Sequence, residues 1–361
     1  MIFAARDEAP SVAAAVRSML PALAAGTEAK TDPSLRVIAV DDRSTDGTGA
    51  ILDELAATRP ELAVVHVTDL PAGWLGKTHA LQVGSDSPAG RDAYWLLFTD
   101  ADVVFQPGAV RRAVAYAEAN AVDMLIVAPE VDTRSVGERV FLTLFGLLFS
   151  LYGPIGRLKD RRSQVHIGVG AFNLVRAEVF RAVGGFRHLA LSVDDDMRLG
   201  QTVKFAGYNL GLVLGRDQVS VRWQVGTWGM VRGVEKNFFA GLKFQLSRVV
   251  VVALGVITLG IGPFAGLVVG PTWTRVISSL GVGAVTLMLA ATWRQSRIAW
   301  FHVLLLPAAA VLVLVALCRS VALTLIRGGV VWRNHLYPLA TLKAHVRERD
   351  AWLSEVWRST R

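Results

Sequence analysis

Two short acidic stretches, each directly after an apolar run, are where side chains of this sequence could do chemistry. "RVIAV" is followed by "DDRSTDGT" at residues 41–48, and "YWLLF" is followed by "TDADV" at 99–103. Adjacent carboxylates such as Asp41 and Asp42 repel each other, so a pair kept at the end of an apolar run needs a partner. Asp100 and Asp102 are two residues apart, and side chains of an extended chain alternate with period two, which predicts both on one side. Two carboxylates so placed can hold a divalent ion through oxygen ligands, and Mg2+ or Mn2+ held that way commonly bridges to phosphates. For "DAD" alone, a strand end with solvated acids is the simpler explanation. A second acid pair after another strand turns the balance toward a metal and phosphate site.

The flanking segments predict what positions these acids. "IFAAR" reads as a short strand, and "DEAPSVAAAVRSMLPAL" as a helix with acids and Pro10 near its start. "SLRVIAV" has a buried-strand pattern. "STDGTGAILDELAATRP" opens a helix that Ser44 or Thr45 can cap and Pro60 ends. "LAVVHVT" is a third strand and "DAYWLLFTDADVVF" a fourth, again ending in acids. "PGAVRRAVAYAEAN" is a helix with Pro107 near its start, and "VDMLIVAP" a fifth strand. Strands alternating with helices predict an α/β fold with an open, mostly parallel sheet. Ligands of such sheets bind at the carboxyl ends of the strands, where both acidic motifs fall.

The chain has 361 residues, 52% of them hydrophobic, and a mean hydropathy of +0.41. That is too apolar for an ordinary soluble enzyme. The apolar excess is concentrated after residue 248, which predicts three regions: a catalytic domain at 1–247, membrane helices at 248–326 and a basic tail at 327–361. Three runs, 249–270, 276–293 and 300–326, read as spanning segments. A fourth, 140–153, is too short to span and reads as interfacial or as packed on the membrane side of the catalytic domain. The net charge of +8 comes without a basic patch interleaved with aromatics, which argues against nucleic acid and for an anionic membrane surface. The lone Cys318 allows no disulfide within the chain and suits a cytosolic catalytic part. By the positive-inside bias, "RLKDRR" at 157–162, "RQSR" at 294–297 and the basic tail all read as cytoplasmic. Three crossings would put the tail outside, so a bent or re-entrant path through 300–326 is one expected resolution.

Several motifs, in order, resemble those of membrane-bound family-2 glycosyltransferases of the GT-A fold. "AARDE" resembles the family's first-strand motif, "VDDRSTDGT" its nucleotide-binding V-D-D-x-S-x-D, and "GWLGKTHAL" the G-W-x-G-K-x-x-A-L of members acting on lipids. "TDADV" resembles the metal-binding D-x-D. "GVGAFNLVRAEVFRAVGGF" resembles the acceptor-side segment ending in G-G-F, and "SVDDDMRLG" the E-D-x-x-L motif of the catalytic base. "GVEKNFFAGL" and "GGVVWRNHLY" resemble stretches that flank the membrane helices. The closest resemblance is to hopanoid- and carotenoid-associated members, which are similar to ceramide glucosyltransferases.

The resemblance implies a GT-A nucleotide-sugar-binding domain followed by transmembrane helices. It implies an inverting hexosyltransferase that moves one sugar from a UDP-sugar to a membrane lipid with a Mg2+ or Mn2+ ion. Carried over by position, Glu8 and Asp42 face the uracil and ribose with Asp41 beside them, and Lys77 lies near the nucleotide or its phosphates. Asp100 and Asp102 line the metal and diphosphate. Asp196 aligns with the base, with Asp195 in the Glu place. Arg232, Lys236 and Arg333 are candidates for phosphate contacts, with juxtamembrane charge as the alternative. The implied location is a bacterial cytoplasmic membrane, catalytic domain toward the cytosol.

The sequence departs from the family pattern in three ways. Position 195 is Asp rather than Glu, and Val219 stands in the Gln place of Q-x-x-R-W, which argues against processive polysaccharide synthesis. The first strand is shorter than usual, so the coding sequence is expected to continue upstream with an apolar stretch. Transfer to polyprenyl phosphate is a rival within the class. A nucleotidyltransferase would open with a Gly-rich phosphate loop, absent from "MIFAARDEAP". A non-catalytic membrane scaffold is the remaining alternative, and the complete acid motifs argue against it.

Overall fold

The computed structural model describes residues 1–23, 35–151, 155–160, 162–296 and 300–361. Ser34, Arg161, Arg297 and the end of the 140–153 run lie outside them. The elements up to the second acid motif are β1 (Ile2–Ala5), α1 (Val12–Leu23), β2 (Val37–Asp42), α2 (Thr48–Thr58), β3 (Leu62–Val67), α3 (Gly76–Asp86), α4 (Pro88–Arg91) and β4 (Trp95–Asp100). Then come β5 (Val103–Phe105), α5 (Ala109–Ala119), β6 (Met124–Ala128), β7 (Glu130–Val131), α6 (Val136–Leu151), β8 (Asn173–Arg176), α7 (Ala177–Ala182), α8 (Asp195–Phe205), β9 (Leu210–Leu214) and β10 (Val219–Val221). The apolar part holds α9 (Gly226–Gly233), α10 (Glu235–Gly241), α11 (Leu246–Gly260), α12 (Gly262–Val269), α13 (Thr272–Ser296) and α14 (Leu306–Ile326). A hairpin, β11 (Gly329–Trp332) and β12 (His335–Pro338), and α15 (Leu339–Ser359) close the chain. The chain forms two compact units, one of Met1–Asp132, Pro154–Arg222 and Ala344–Arg361, the other of Thr133–Gly153 and Trp223–Lys343.

The first unit is built on a seven-stranded sheet of order β3-β2-β1-β4-β8-β6-β9. The first four strands of that order are parallel, β8 is antiparallel to both neighbours, and β9 is parallel to β6. The expected mixed α/β fold with a mostly parallel sheet is present. The continuous apolar character of β1 and β2 follows from burial on both faces. Register then fixes the site: Ala5 pairs with Asp41 and Ala4 with Asp100, so β1 is flanked at its carboxyl end by both acid motifs. One expectation fails. Ala101 and Asp102 form a turn between β4 and β5, so period-two alternation is not what relates Asp100 to Asp102.

The second unit contains the apolar helices. Phe141 and Leu144 of α6 join Met230 and Val231 of α9 and Ala309, Ala310 and Val313 of α14 in one buried cluster. The 140–153 run thus contributes a packed helix to this cluster. Among the described residues, two helices, Thr272–Ala290 and Trp300–Ile326, are long and apolar enough to cross a membrane. The 249–270 run is not one straight span. It breaks into α11 and α12 with a bend of 46°, at the point where Pro263 removes a backbone donor just after Gly262. The 300–326 run, expected to be the bent one, contains the continuous α14.

The start of α6 carries a reciprocal cap: Ser135 Oγ accepts from Glu138 N at 3.3 Å, and Glu138 Oε2 accepts from Ser135 N at 3.3 Å and Arg134 N at 2.7 Å. Glu138 Oε1 also accepts from Gly226 N at 2.6 Å, so one buried carboxylate ties the first turn of α6 to that of α9. Glu138→Ala leaves these donors unsatisfied and is expected to destabilise the second unit by about 1–3 kcal/mol. The unfolding midpoint of the detergent-solubilised chain checks this, with Glu138→Gln falling between Ala and wild type.

Candidate active site

The loops after β1 and β2 are stitched together. Asp7 Oδ1 accepts from Thr45 N at 2.9 Å, Thr48 Oγ1 accepts from Glu8 N at 2.8 Å, and Asp46 Oδ2 accepts from Ala9 N at 2.9 Å. This uses the polar run "STDGT" differently from the helix cap expected of it. Ser44 accepts from Asp7 N at 3.1 Å, and α2 begins after Gly47, whose φ of 93° is costly for a side-chain-bearing residue. Glu8 is engaged at this junction too, its carboxylate accepting from Ser11 Oγ at 3.1 Å.

The adjacent acids Asp41 and Asp42 are both buried, and each has its own partners. Asp42 meets Arg43 in a two-pronged pair at 2.8 and 3.1 Å, with Arg6 at 3.6 Å. Asp41 accepts from Ser44 N at 3.2 Å and meets His66 Nδ1 at 3.1 Å. His66 also meets Asp53 at 3.0 Å. Hydrogen bonds to Asp53 and then Asp41 hold the imidazole pKa above its ordinary value.

The second acid group gathers around one cation. Lys77 Nζ sits 2.7 Å from Asp100 Oδ1 and 3.5 Å from Asp195 Oδ2. Burial alone would lower the ammonium pKa, but the charges of Asp100, Asp195 and Asp196 outweigh it and push it above its usual range. Asp195 and Asp196 lie in the first turn of α8. Burial, and then the Asp195 charge, push the Asp196 carboxyl up to about 7 against the pull of Lys77. Crowding by the surrounding protein and the Asp100 charge push Asp102 up to about 6, although its side chain keeps solvent contact.

Glycines let the backbone reach these acids. A Cβ on Gly170 would lie 2.6 Å from Asp100 Oδ2, and one on Gly168 would overlap the backbone of Asp196. The G-x-G of "GVGAF" therefore rests one glycine on each acid motif. A Cβ on Gly76, at the start of α3, would overlap the Asp42 carboxylate. Behind the acids, Asp194 pairs with Arg198 at 2.7 Å, and Arg198 donates to Gln201 Oε1 at 2.9 Å. Burial would raise the Asp194 pKa, but Arg198 and Arg349 outweigh it and hold it below its usual value. Arg349, from the buried side of α15, donates to Ser192 Oγ at 3.0 Å. Burial and Arg349 push the neighbouring His345 down to about 4, which leaves it neutral at pH 7.

The structure thus brings together Lys77, Asp100, Asp195 and Asp196, with Asp102 beside Asp100. Asp41, Asp42 and Glu8 lie on the neighbouring strand ends of the same sheet edge. Sequence reasoning missed Arg6, Arg43, His66, Arg198 and Arg349. The spacing of Gly168 and Gly170 was the readable sign of close packing. Among the described residues, no group of three or more His, Cys, Asp or Glu is arranged to hold a metal by itself. The two carboxylates Asp100 and Asp102 do fit a hard cation that completes its shell with substrate phosphates and water. Burial and then the Asp100 charge disfavour the ionised Asp102 carboxyl, and a cation bound there would offset both.

Residues 1–184 match the family model described as Glycosyl transferase family 2. Among solved structures, the chain is similar to the mannosyltransferase PcManGT from Pyrobaculum calidifontis in complex with GDP-Man and Mn2+, with 15% identity, a TM-score of 0.48 and coverage of 86% of each chain. It is also similar to residues 1–349 of TarS from S. aureus, with 11% identity, a TM-score of 0.42 and coverage of 93% of this chain and 94% of that one. No curated protein sequence matches the chain.

Replacing Lys77 with Met leaves three carboxylates without their shared cation. The Asp196 carboxyl, already raised to about 7, then rises further above its unfolded value, so stability is lost as pH rises through it. The deficit of Lys77→Met against wild type is expected to grow by about 1 kcal/mol or more between pH 6 and pH 8. Unfolding midpoints across that range check it, and a pH-independent deficit contradicts it.

Proposed function

The chain belongs to glycosyltransferase family 2, and from that premise we propose that it moves a single sugar, with inversion, from a UDP-sugar to a hydroxyl of a membrane lipid. The observation that carries this reading is the Lys77 ion network, which joins Asp100 on the donor side to Asp195, neighbour of Asp196. Asp196 is the general base. A carboxyl raised to about 7 holds the acceptor proton well near neutral pH yet is still ionised in a large fraction of molecules. Lys77 offsets charge that grows on the leaving diphosphate, and it pairs with Asp100 and Asp195. Asp100 and Asp102 would hold a divalent ion, which when bound supplies further charge compensation at the diphosphate. Asp42, Asp41 and Glu8 present polar groups to the nucleoside at the carboxyl end of the sheet, where α3 approaches Asp42 closely because Gly76 has no side chain. The motifs, similar to those of hopanoid-, carotenoid- and ceramide-related members, and the apolar helices support a lipid acceptor.

The same reading places the catalytic domain in the cytosol, and the shared unit of residues 1–132 and 344–361 bears on the path of the chain. His188 stacks on Trp352 at 3.9 Å, Phe205 meets Trp357 at 4.9 Å, and Arg349 is buried beside Ser192. A packed domain cannot be divided by a bilayer, so the chain crosses an even number of times. Crossing by α13 and α14, with the bent pair α11–α12 returning to its own face, satisfies this. It puts "RQSR" on the far face, against the count of its arginines.

Two experiments test these proposals. Asp196→Asn is expected to lower turnover by roughly 10²–10⁴-fold with UDP affinity near wild type, whereas Asp102→Asn weakens Mn2+-dependent UDP binding itself. In wild type, kcat/KM rises with pH up to about 7, because the base must be deprotonated, and then levels. Near-wild-type turnover of Asp196→Asn sinks the hydroxyl mechanism and points to a phosphate acceptor. For the path, Ser359→Cys with Cys318→Ala is expected to resist an impermeant thiol reagent in intact cells and react after permeabilisation. Labelling in intact cells puts the tail outside.

A further inference from the structure

Arg349 of α15 is buried, yet no part of the catalytic reading uses it. Leu353, one turn further along the same helix, is buried too. A helix that only had to dock would carry a second apolar residue at position 349. A guanidinium placed there loses its water, and the nearby Arg198 charge adds repulsion. Its Nε is buried with no hydrogen-bond partner. Packing alone therefore does not account for an arginine at this position.

What Arg349 reaches is the segment that leads into α8. Its Nη1 donates to Ser192 Oγ at 3.0 Å, and the same oxygen lies 3.4 Å from His345 Nε2. Burial and then Arg349 push His345 down to about 4, so its ring is neutral and Nε2 can accept the Ser192 hydroxyl. Ser192 is thus held from two sides by α15. Asp194 is the N-cap residue of α8, and its carbonyl accepts from Arg198 N at 3.0 Å. Burial opposes charge on the Asp194 carboxyl, and Arg198 and Arg349 together outweigh it. The next two residues are Asp195 and Asp196. A further hold comes from Trp352, which stacks on His188 at 3.9 Å.

The helix that carries Lys77 grips the same segment by its backbone. Leu75 N donates to Ala190 O at 2.8 Å, Thr78 Oγ1 donates to Ala190 O at 2.7 Å, and Phe186 N donates to Gln82 Oε1 at 2.8 Å. Residues 186–194 therefore set where Asp195 and Asp196 stand relative to Lys77, with α3 on the backbone and α15 on the side chains. The other side of α8 has no slack. A Cβ on Gly168 would overlap the Asp196 backbone, and one on Gly200 would overlap that of Ile167. A first turn packed this tightly does not absorb a shift of the segment that enters it.

We propose that Arg349 is a positioning residue for the transfer reaction: through Ser192 and Asp194 it fixes the segment entering α8, and so the placement of Asp195 and Asp196 against Lys77. The last helix of the chain is then part of the catalytic apparatus. The proposal rests on the reading of Asp196 as the base for its effect on turnover. The placement itself is read without any transfer, so the two can fail separately.

Three quantities are measured on purified full-length chain in uncharged detergent: amide hydrogen exchange by mass spectrometry, UDP affinity with Mn2+ by calorimetry, and transfer of label from radiolabelled UDP-sugars to total lipid. In Arg349→Met, exchange across residues 190–199 is expected to be about tenfold faster, with exchange in β2 and the unfolding midpoint near wild type, because Arg198 still pairs with Asp194. Turnover is expected to fall by about 10–100-fold while UDP affinity and the donor KM stay near wild type. Arg349→Lys, which can still reach one partner, falls between Met and wild type in exchange and in turnover. Arg59→Gln, which removes an exposed charge from the first unit, changes nothing. Wild-type exchange across 190–199 in Arg349→Met overturns the proposal, and so does faster exchange in β2 to the same degree, which marks a role in stability alone. Loss of turnover only in proportion to loss of UDP affinity overturns it as well. Undiminished turnover of Asp196→Asn, or no lipid product from wild type, sinks the base reading instead, and exchange across 190–199 then decides on Arg349 by itself. If Arg349→Met does not fold, Arg349→Lys and Ser192→Ala carry the same comparison.

Discussion

The catalytic sheet edge is organised by electrostatic repulsion and its relief. Like charges about 4 Å apart near a protein surface repel by about 4 kcal/mol, and this edge collects Asp100, Asp102, Asp195 and Asp196. Lys77 is what allows three of them to coexist. Its position depends on α3 starting at Gly76, and that start depends on Gly76 having no Cβ to meet Asp42. The first acid pair is thereby tied to the second through a glycine and a lysine adjacent in sequence. The relief is incomplete. Asp196 remains raised to about 7 and Asp102 to about 6, by burial first and by the charges of neighbouring acids second, which suits the proposed roles of proton acceptor and cation ligand.

Much of this was legible in the sequence because the informative residues are local. The continuous apolar runs of β1, β2 and β4 announce buried parallel strands, and the acids that follow them mark the carboxyl ends. What was hidden depends on pairing between distant segments. β8 is four residues long and follows a glycine-rich loop, so nothing in its own pattern reveals that it lies between β4 and β6. Ser44 and Thr45 have the chemistry of helix caps, but the loop after β1 takes them instead. The bend between α11 and α12 was visible in Gly262 and Pro263, but high mean hydropathy masked it. The C-terminal helix was obscured by its net charge. It reads as a basic tail, yet Arg349 and Leu353 are buried.

That last helix links fold to membrane path. Because residues 344–361 pack in the same unit as the sheet, the proposed membrane path leaves and returns on one side. Composition alone counts hydrophobic runs and reaches an odd number, while the packing of Trp352 and Trp357 supports the even number proposed. On the apolar side, Glu235 has a role comparable to that of Lys77: one group of opposite sign holds two like charges, Arg319 and Arg327, near the end of α14. Lys77 thus faces acids at the sheet edge, and Glu235 faces bases by the helix end.

The central claim is that these charges serve transfer of one sugar from a nucleotide donor to a membrane lipid. The most direct measurement incubates membranes containing the full chain with a panel of radiolabelled UDP- and GDP-sugars, total lipid and Mn2+, and follows label into the organic phase with mass spectrometry of the product. The account predicts a lipid whose mass is increased by one sugar, formed from a UDP-sugar and absent with Asp196→Asn. Binding of UDP with no label in any lipid, or label only in a polymer or water-soluble product, would contradict it.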